Sequence, residues 1–208
     1  DDPVIGVSFD GTGYGTDGHI WGGEFLLCEC GEMERIAHLN YIDMIGGDSS
    51  VKDGVRSALS YIAAYGNIGS EAEKPESIVP DIADIIEYGR KRLLSKPNSK
   101  LILKAISSRI NTVKSSSMGR LFDAVSSLLG ICDYNHYEGQ CAIMLEDAAA
   151  FAKKHPGKDP ASDLALAFHE RIIDMIITQC TAIRFSRGTN KVALSGGTFQ
   201  NKILMERK

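Results

Sequence analysis

Proline is scarce, at 6 residues in 208, and the chain has no low-complexity tract and no internal repeat. With 43% hydrophobic and 24% charged residues, this excludes a disordered or fibrous chain and leaves a globular one long enough to bury a core. No apolar run approaches the ~20 residues that span a bilayer, and no signal peptide is seen before Val4, so no membrane association is expected. The five cysteines form no even, regularly spaced set. Cys28 and Cys30 stand two apart on an expected strand without a second pair to complete a zinc site, so all five read as reduced thiols in a cytoplasmic protein. Positive charge is not in excess. The net charge of −4 argues against a broad nucleic-acid surface, although Lys91 and Arg92 leave a local basic patch open. Neither a Walker loop nor a Rossmann fingerprint is present.

Glycine, by contrast, is plentiful at 21 residues, and it gathers where the sequence is most informative. The apolar run Val4–Phe9 reads as a strand ending directly on Asp10. A turn carrying Gly11, Gly13, Gly15 and Gly18 follows, then a second strand from His19 to Leu27. Such a hairpin tip can expose backbone N–H groups to an anion. A bare carboxylate beside it would repel phosphate, and a metal ion between Asp10 and the phosphate would remove that repulsion. The plainer alternative is a surface hairpin with a turn aspartate.

A third strand, Glu32–Leu39, completes a meander that opens a mixed sheet, so residues 1–66 read as a sheet-rich first lobe. Val51–Tyr65 reads as a helix and Gly66–Pro80 as a polar connection. Residues 81–184 read as mainly helical. Within them Ser117–Leu129 has a continuous apolar face, Gly139–Lys154 is stopped by His155-Pro156-Gly157, and Asp159 caps a helix with Pro160 in its first turn that runs toward Arg184. Lys191–Leu194 reads as a short buried strand of the other lobe, leading into Ser195-Gly196-Gly197 and a helix from about Phe199; residues 191–208 form this second glycine-turn element. Two glycine turns flanking a helical block is the layout of a nucleotide lying between sheet edge and helices. Asp123, three residues after Arg120, is either its ion-pair partner or an acceptor for ribose hydroxyls. Glu138 is either a ligand contact or an ordinary first-turn acid. The five histidines read as ordinary polar residues. Both ends read as cut, so the chain is expected to be a piece of a longer protein.

Four blocks carry a family resemblance: Phe9-Asp-Gly-Thr-Gly-Tyr-Gly-Thr-Asp-Gly with His19-Ile-Trp-Gly-Gly-Glu; Gly46-Gly-Asp; Ser116-Ser-Met-Gly-Arg-Leu-Phe-Asp-Ala with Tyr137-Glu-Gly-Gln; and Ala193-Leu-Ser-Gly-Gly-Thr-Phe-Gln-Asn. In this order they resemble the HypF carbamoyltransferases of nickel–iron hydrogenase maturation. The resemblance places the chain in that family's last domain, which is similar to the tRNA threonylcarbamoyl transferases. It implies an α/β, actin- and hexokinase-like two-lobed ATPase fold, incomplete here, with a largely helical insertion. It implies Asp10 as a catalytic metal ligand and Gly11, Gly13 and Gly15 facing nucleotide phosphates. Gly119, Asp123 and Glu138 would wall the ribose, with Gly196, Gly197 and Asn201 on the second phosphate and adenosine side. The implied ligands are ATP or carbamoyl-adenylate, made from carbamoyl phosphate, with a divalent metal (zinc, iron or magnesium). The implied acceptor is the C-terminal cysteine of a HypE-like protein. By the same resemblance the paired metal histidines precede Asp1 and a further aspartate follows Lys208, so the isolated chain is expected to be inactive. Two alternatives stay open: a non-catalytic nucleotide-binding recognition domain, and a related tRNA threonylcarbamoyl or small-molecule carbamoyltransferase.

Overall fold

Strand β1, Val4–Tyr14, buries Ile5, Val7 and Phe9 at alternate positions, as a strand with one face on a core must. It pairs antiparallel with β2, Ile20–Glu29, which continues into β3, Glu32–Leu39. The computed structural model describes residues 2–47, 51–65 and 76–206. Asp48 of the Gly46-Gly-Asp block, Lys208 and most of the Gly66–Pro80 connection lie outside the described residues. The seven-stranded mixed sheet also takes in β4, Ile42–Ile45, β5, Ser77–Ile78, β6, Thr112–Ser115, and β7, Lys191–Ser195. Its main path runs β4-β6-β2-β1-β7, with β3 on β2 and β5 on β3.

Seven helices accompany the sheet among the described residues: α1, Gly54–Tyr65; α2, Ala83–Leu94; α3, Ser99–Ser107; α4, Met118–Leu128; α5, Gln140–Lys154; α6, Pro160–Arg187; and α7, Lys202–Met205. A 3-10 turn, Gly197–Gln200, precedes α7. The central helix α4 is buried around almost its whole circumference, with Met118, Leu121, Phe122, Val125 and Leu128 in the core. The long α6 starts as its sequence dictates: the Asp159 carboxylate accepts the Ser162 N–H at 3.0 Å, and Pro160 occupies the first turn. None of the described helices is long and apolar enough to cross a membrane.

Two expectations change. First, β1 does not end at Phe9. It runs on to Tyr14, and the turn shrinks to Gly15–His19, closed by Gly15 N–H to the His19 carbonyl (2.9 Å) and Gly18 N–H to the Gly15 carbonyl (3.0 Å). Between the pairs Phe9–Gly23 and Gly13–Trp21 the ladder slips, so Asp10, Gly11 and Thr12 face only Gly22. That bulge lifts Asp10 and Gly11 out of the ladder. Second, β7 is neither buried nor in another lobe. It pairs in parallel with β1 from Val4–Lys191 to Ser8–Ser195 and forms an exposed edge of the same sheet. The stretch read as mainly helical is so, and it also holds β6, four residues without an alternating pattern, which pair with β4 and β2.

Candidate functional site

Three backbone segments meet at residues 9–11, and glycine permits each approach. A Cβ on Gly119, in the first turn of α4, would lie 2.7 Å from the Gly11 Cα. A Cβ on Gly196, whose φ is +101°, would run into the Phe9 carbonyl, and one on Gly22 into the Asp10 carbonyl. Ser117 caps α4 by accepting the Arg120 N–H at 3.1 Å, and its Oγ lies 3.0 and 2.8 Å from the carbonyl oxygens of Asp10 and Gly11. The start of α4 and the bulge of β1 are therefore one rigid unit.

Over this unit opens a cavity of about 480 Å³. Asp10, Gly11 and Gly119 form its floor, and Arg120 and Asp123 stand on the α4 side. Glu138, Gly139, Ala142, Ile143 and Glu146 line it from the start of α5, while Gly197, Thr198, Gln200 and Asn201 close it from the turn before α7. Of the residues singled out from sequence, Gly13, Gly15 and Gly196 are absent from this lining. Gly13 pairs with Trp21, Gly15 packs against Trp21 and Asp17, and Gly196 packs on Phe9.

Asp10 is exposed, and its Oδ1 accepts the Gly11 N–H at 2.7 Å. Asp123 is only 1% exposed. Of its two readings the ion pair is the one seen, and the side chain is inside the protein rather than in an open cleft: one oxygen lies 3.0 Å from the Arg120 guanidinium and the other accepts from Asn135 Nδ2 at 3.1 Å. Burial raises its pKa, and Arg120 and Asn135 pull against that rise. Asn135 also donates to the Val51 carbonyl and accepts the Cys141 N–H, tying α4 to the approaches of α1 and α5.

Glu24 was legible only as part of a motif. It is buried beneath the site, accepting from the Gly23 N–H at 2.7 Å, from Arg35 at 3.1 Å and from the Ser116 hydroxyl. Burial raises its pKa against those three partners. Arg35 continues to Asp17 at 3.1 Å and lies over the Trp21 ring at 4.0 Å. Burial alone would raise the Asp17 pKa, but hydrogen bonds from Tyr41, the His19 N–H and Trp21, with the Arg35 charge, hold it at about 2. The His19-Ile-Trp-Gly-Gly-Glu block thus braces β2 and β3 behind the cavity. Arg120, read from sequence only as a partner for Asp123, lines the cavity as well.

The family model described as "Carbamoyltransferase, Kae1-like Domain, second subdomain" matches residues 6–159 and 150–208. The chain belongs to the HypF carbamoyltransferase family. Among curated HypF relatives it is 33% identical to a probable carbamoyltransferase of Methanocaldococcus jannaschii, over 100% of this chain and 28% of that protein. It is 30% identical to the HypF of a Synechocystis species, over 99% of this chain and 30% of that protein. The chain thus spans less than a third of the length of these relatives. A crystal structure of full-length HypF in the phosphate- and nucleotide-bound form superposes with a TM-score of 0.77 at 32% identity, covering 99% of this chain and 34% of that one. HypF from T. kodakarensis superposes with a TM-score of 0.76 at 27% identity, covering 99% of this chain and 30% of that one. The expected α/β fold is the fold of this HypF segment, which the family model describes as Kae1-like.

Proposed function

We propose that this segment supplies the nucleotide-binding wall of a carbamoyl-transfer site. A carbamoyl-adenylate, made from carbamoyl phosphate and ATP, would lie in the cavity and give its carbamoyl group to the C-terminal cysteine of a HypE-like acceptor. The observation that carries this reading is the convergence of Asp10, the start of α4, the start of α5 and the Gly197–Asn201 segment on one cavity of about 480 Å³. Arg120 and the glycine backbones at 11, 119 and 197 give one end a character suited to phosphate. Ala142 and Ile143 offer an apolar strip for a purine, and Glu138 and Glu146 beside them repel phosphate and accept from hydroxyls. Asp123, almost fully buried and held by Arg120 and Asn135, supports the phosphate end from behind by holding the Arg120 guanidinium at the cavity.

In the transfer, the acceptor's thiolate sulfur attacks the carbamoyl carbon. The bond from that carbon to the phosphate oxygen breaks, and AMP leaves with the electron pair. A nucleophile from this chain is not required. Burial pushes the Cys141 and Cys180 thiols upward in pKa, which keeps them protonated and unreactive at neutral pH. Among the described residues no three His, Cys, Asp or Glu side chains come together to hold a metal ion. Asp10 offers one carboxylate, too few for a zinc or iron centre by itself but the number magnesium uses beside phosphate oxygens and water. An ion there would neutralise charge on the phosphate.

The test combines ATP titration with carbamoyl transfer to an acceptor ending in cysteine, in the full-length protein and its Asp10→Asn variant. The expected outcome is saturable ATP binding in both and a transfer rate lowered about 100-fold in the variant, the scale of losing one charge-stabilising group. Undiminished transfer by Asp10→Asn, or no ATP binding by the wild type, would overturn the proposal.

A further inference from the structure

His169 lies in the middle of α6, is fully buried, and has its ring edge-on to Phe122 and Phe168 at centroid distances of 5.4 and 5.7 Å. Its Nδ1 is 2.7 Å from the Ala165 carbonyl oxygen, one turn earlier. A carbonyl can only accept, so Nδ1 carries the proton. Burial lowers the pKa to about 4, with the Ala165 carbonyl pulling the other way, so the ring is neutral and Nε2 presents a lone pair. That lone pair faces Asn201 Nδ2 at 3.0 Å. The Asn201 amide must therefore donate to His169, which turns its Oδ1 toward the Leu204 N–H at 3.2 Å. One buried imidazole thus fixes which way the Asn201 amide points.

Asn201 ends the turn that closes the cavity, and this turn is held at three places. Phe199 stacks on Phe9 of β1, with centroids 5.4 Å apart and planes 10° apart. The Lys202 N–H donates to Glu146 of α5 at 2.9 Å. Asn201 and His169 make the third tie, to α6, and it is the one fully inside the protein. Glu146 and Phe9 are also committed to the cavity wall and to the β1 core, whereas α6 supplies no residue to the cavity lining.

We propose that His169 is a positioning residue: through Asn201 it fixes the Gly197–Gln200 turn, and with it the wall that the nucleotide meets. The consequence for nucleotide binding rests on the function proposed above. The positioning itself does not, and the two can be tested apart. His169→Phe keeps an aromatic ring in the slot between Phe122 and Phe168 but removes the acceptor. His169→Gln restores an acceptor near the place of Nε2. Asn201→Leu removes the donor.

Without nucleotide, hydrogen exchange of the Phe199 and Asn201 amides reads the turn directly, because these N–H groups bond to the Gly196 and Thr198 carbonyls and close it. In the full-length protein His169→Phe and Asn201→Leu are each expected to speed this exchange about tenfold, with His169→Gln within about threefold of wild type, the scale of one net hydrogen bond. Imidazole ¹⁵N spectra should show a protonated Nδ1 and a bare Nε2 in the wild type. The ATP dissociation constant should rise about tenfold in His169→Phe, recover in His169→Gln, and rise no further when His169→Phe and Asn201→Leu are combined. Wild-type exchange in His169→Phe, or His169→Gln as damaging as His169→Phe, would overturn the positioning role. If His169→Phe does not fold, the Gln and Asn201→Leu variants decide the same question. Absence of ATP binding by the wild type would sink only the nucleotide reading, and the exchange arm would still decide the role of His169.

Discussion

Asp123 sits one turn after Arg120 on α4, with Asn135 against its other oxygen and almost no exposure to solvent. Arg120 and Asn135 partly offset the cost of burying this carboxylate, and removing it takes the ion-pair partner at 3.0 Å from the Arg120 guanidinium. Asp123→Ala is therefore expected to destabilise the protein by about 3–5 kcal/mol, the range for breaking a buried pair from one side. Urea unfolding measures it, and a loss below about 1 kcal/mol would show that the pair is effectively solvated. The same number decides how nucleotide data on this variant are read. A loss of ATP affinity in Asp123→Ala mixes a damaged wall with a displaced Arg120, so the cleaner probes are Asp10 and His169, which do not carry a buried ion pair.

Among the elements, α4 does most to place the site, and it does so through its first turn. Ser117 ties it to Asp10 and Gly11, Ser116 ties the preceding residue to Glu24, and Gly119 lets the helix touch β1 backbone to backbone. Alanine at 119 would gain at most about 1 kcal/mol in helix propensity. Against that, its methyl would sit 2.7 Å from the Gly11 Cα, and neither backbone can move without disturbing the bulge that frees Asp10. Overpacking of this kind costs about 1–3 kcal/mol, so Gly119→Ala should be a net loss. Chemical unfolding together with ATP titration checks it; a variant of equal or higher stability that binds ATP normally would show that the contact relaxes freely. The apolar stripe of Ser117–Leu129 and the Asp159-Pro160 start of α6 were legible in the sequence, because capping and helical period are local. The strand β6 was not, since four residues pairing with β4 and β2 have no period to display.

At the scale of the whole molecule, the sheet ends on β7. Its far edge has no strand partner among the described residues, and Val192 and Leu194 are 49% and 42% exposed. An open edge carrying exposed apolar side chains is a template for pairing with another chain. The 208-residue chain by itself is therefore expected to self-associate as concentration rises, and Val192→Lys to shift it toward monomer, as measured by light scattering or sedimentation. Identical concentration dependence in the two proteins would show that the edge plays no part.

The sequence by itself determined the family and the α/β fold class through four ordered blocks. It also determined the helices whose caps and periods are written within a few residues. It marked Asp10, Gly11, Gly119, Asp123, Glu138, Gly197 and Asn201, which the fold brings to one cavity. What it left open depended on distance in the chain. Lys191–Leu194 has the apolar character of a buried strand, but burial is set by what lies against it, and here nothing among the described residues covers its outer edge. Gly13 and Gly15 look like Gly11 in the sequence, and only the bulge opposite Gly22 separates the glycine at the cavity from the two in the hairpin. His169 is one polar residue on a long helix until the chain returns 32 positions later with Asn201, and only that meeting gives its lone pair a partner.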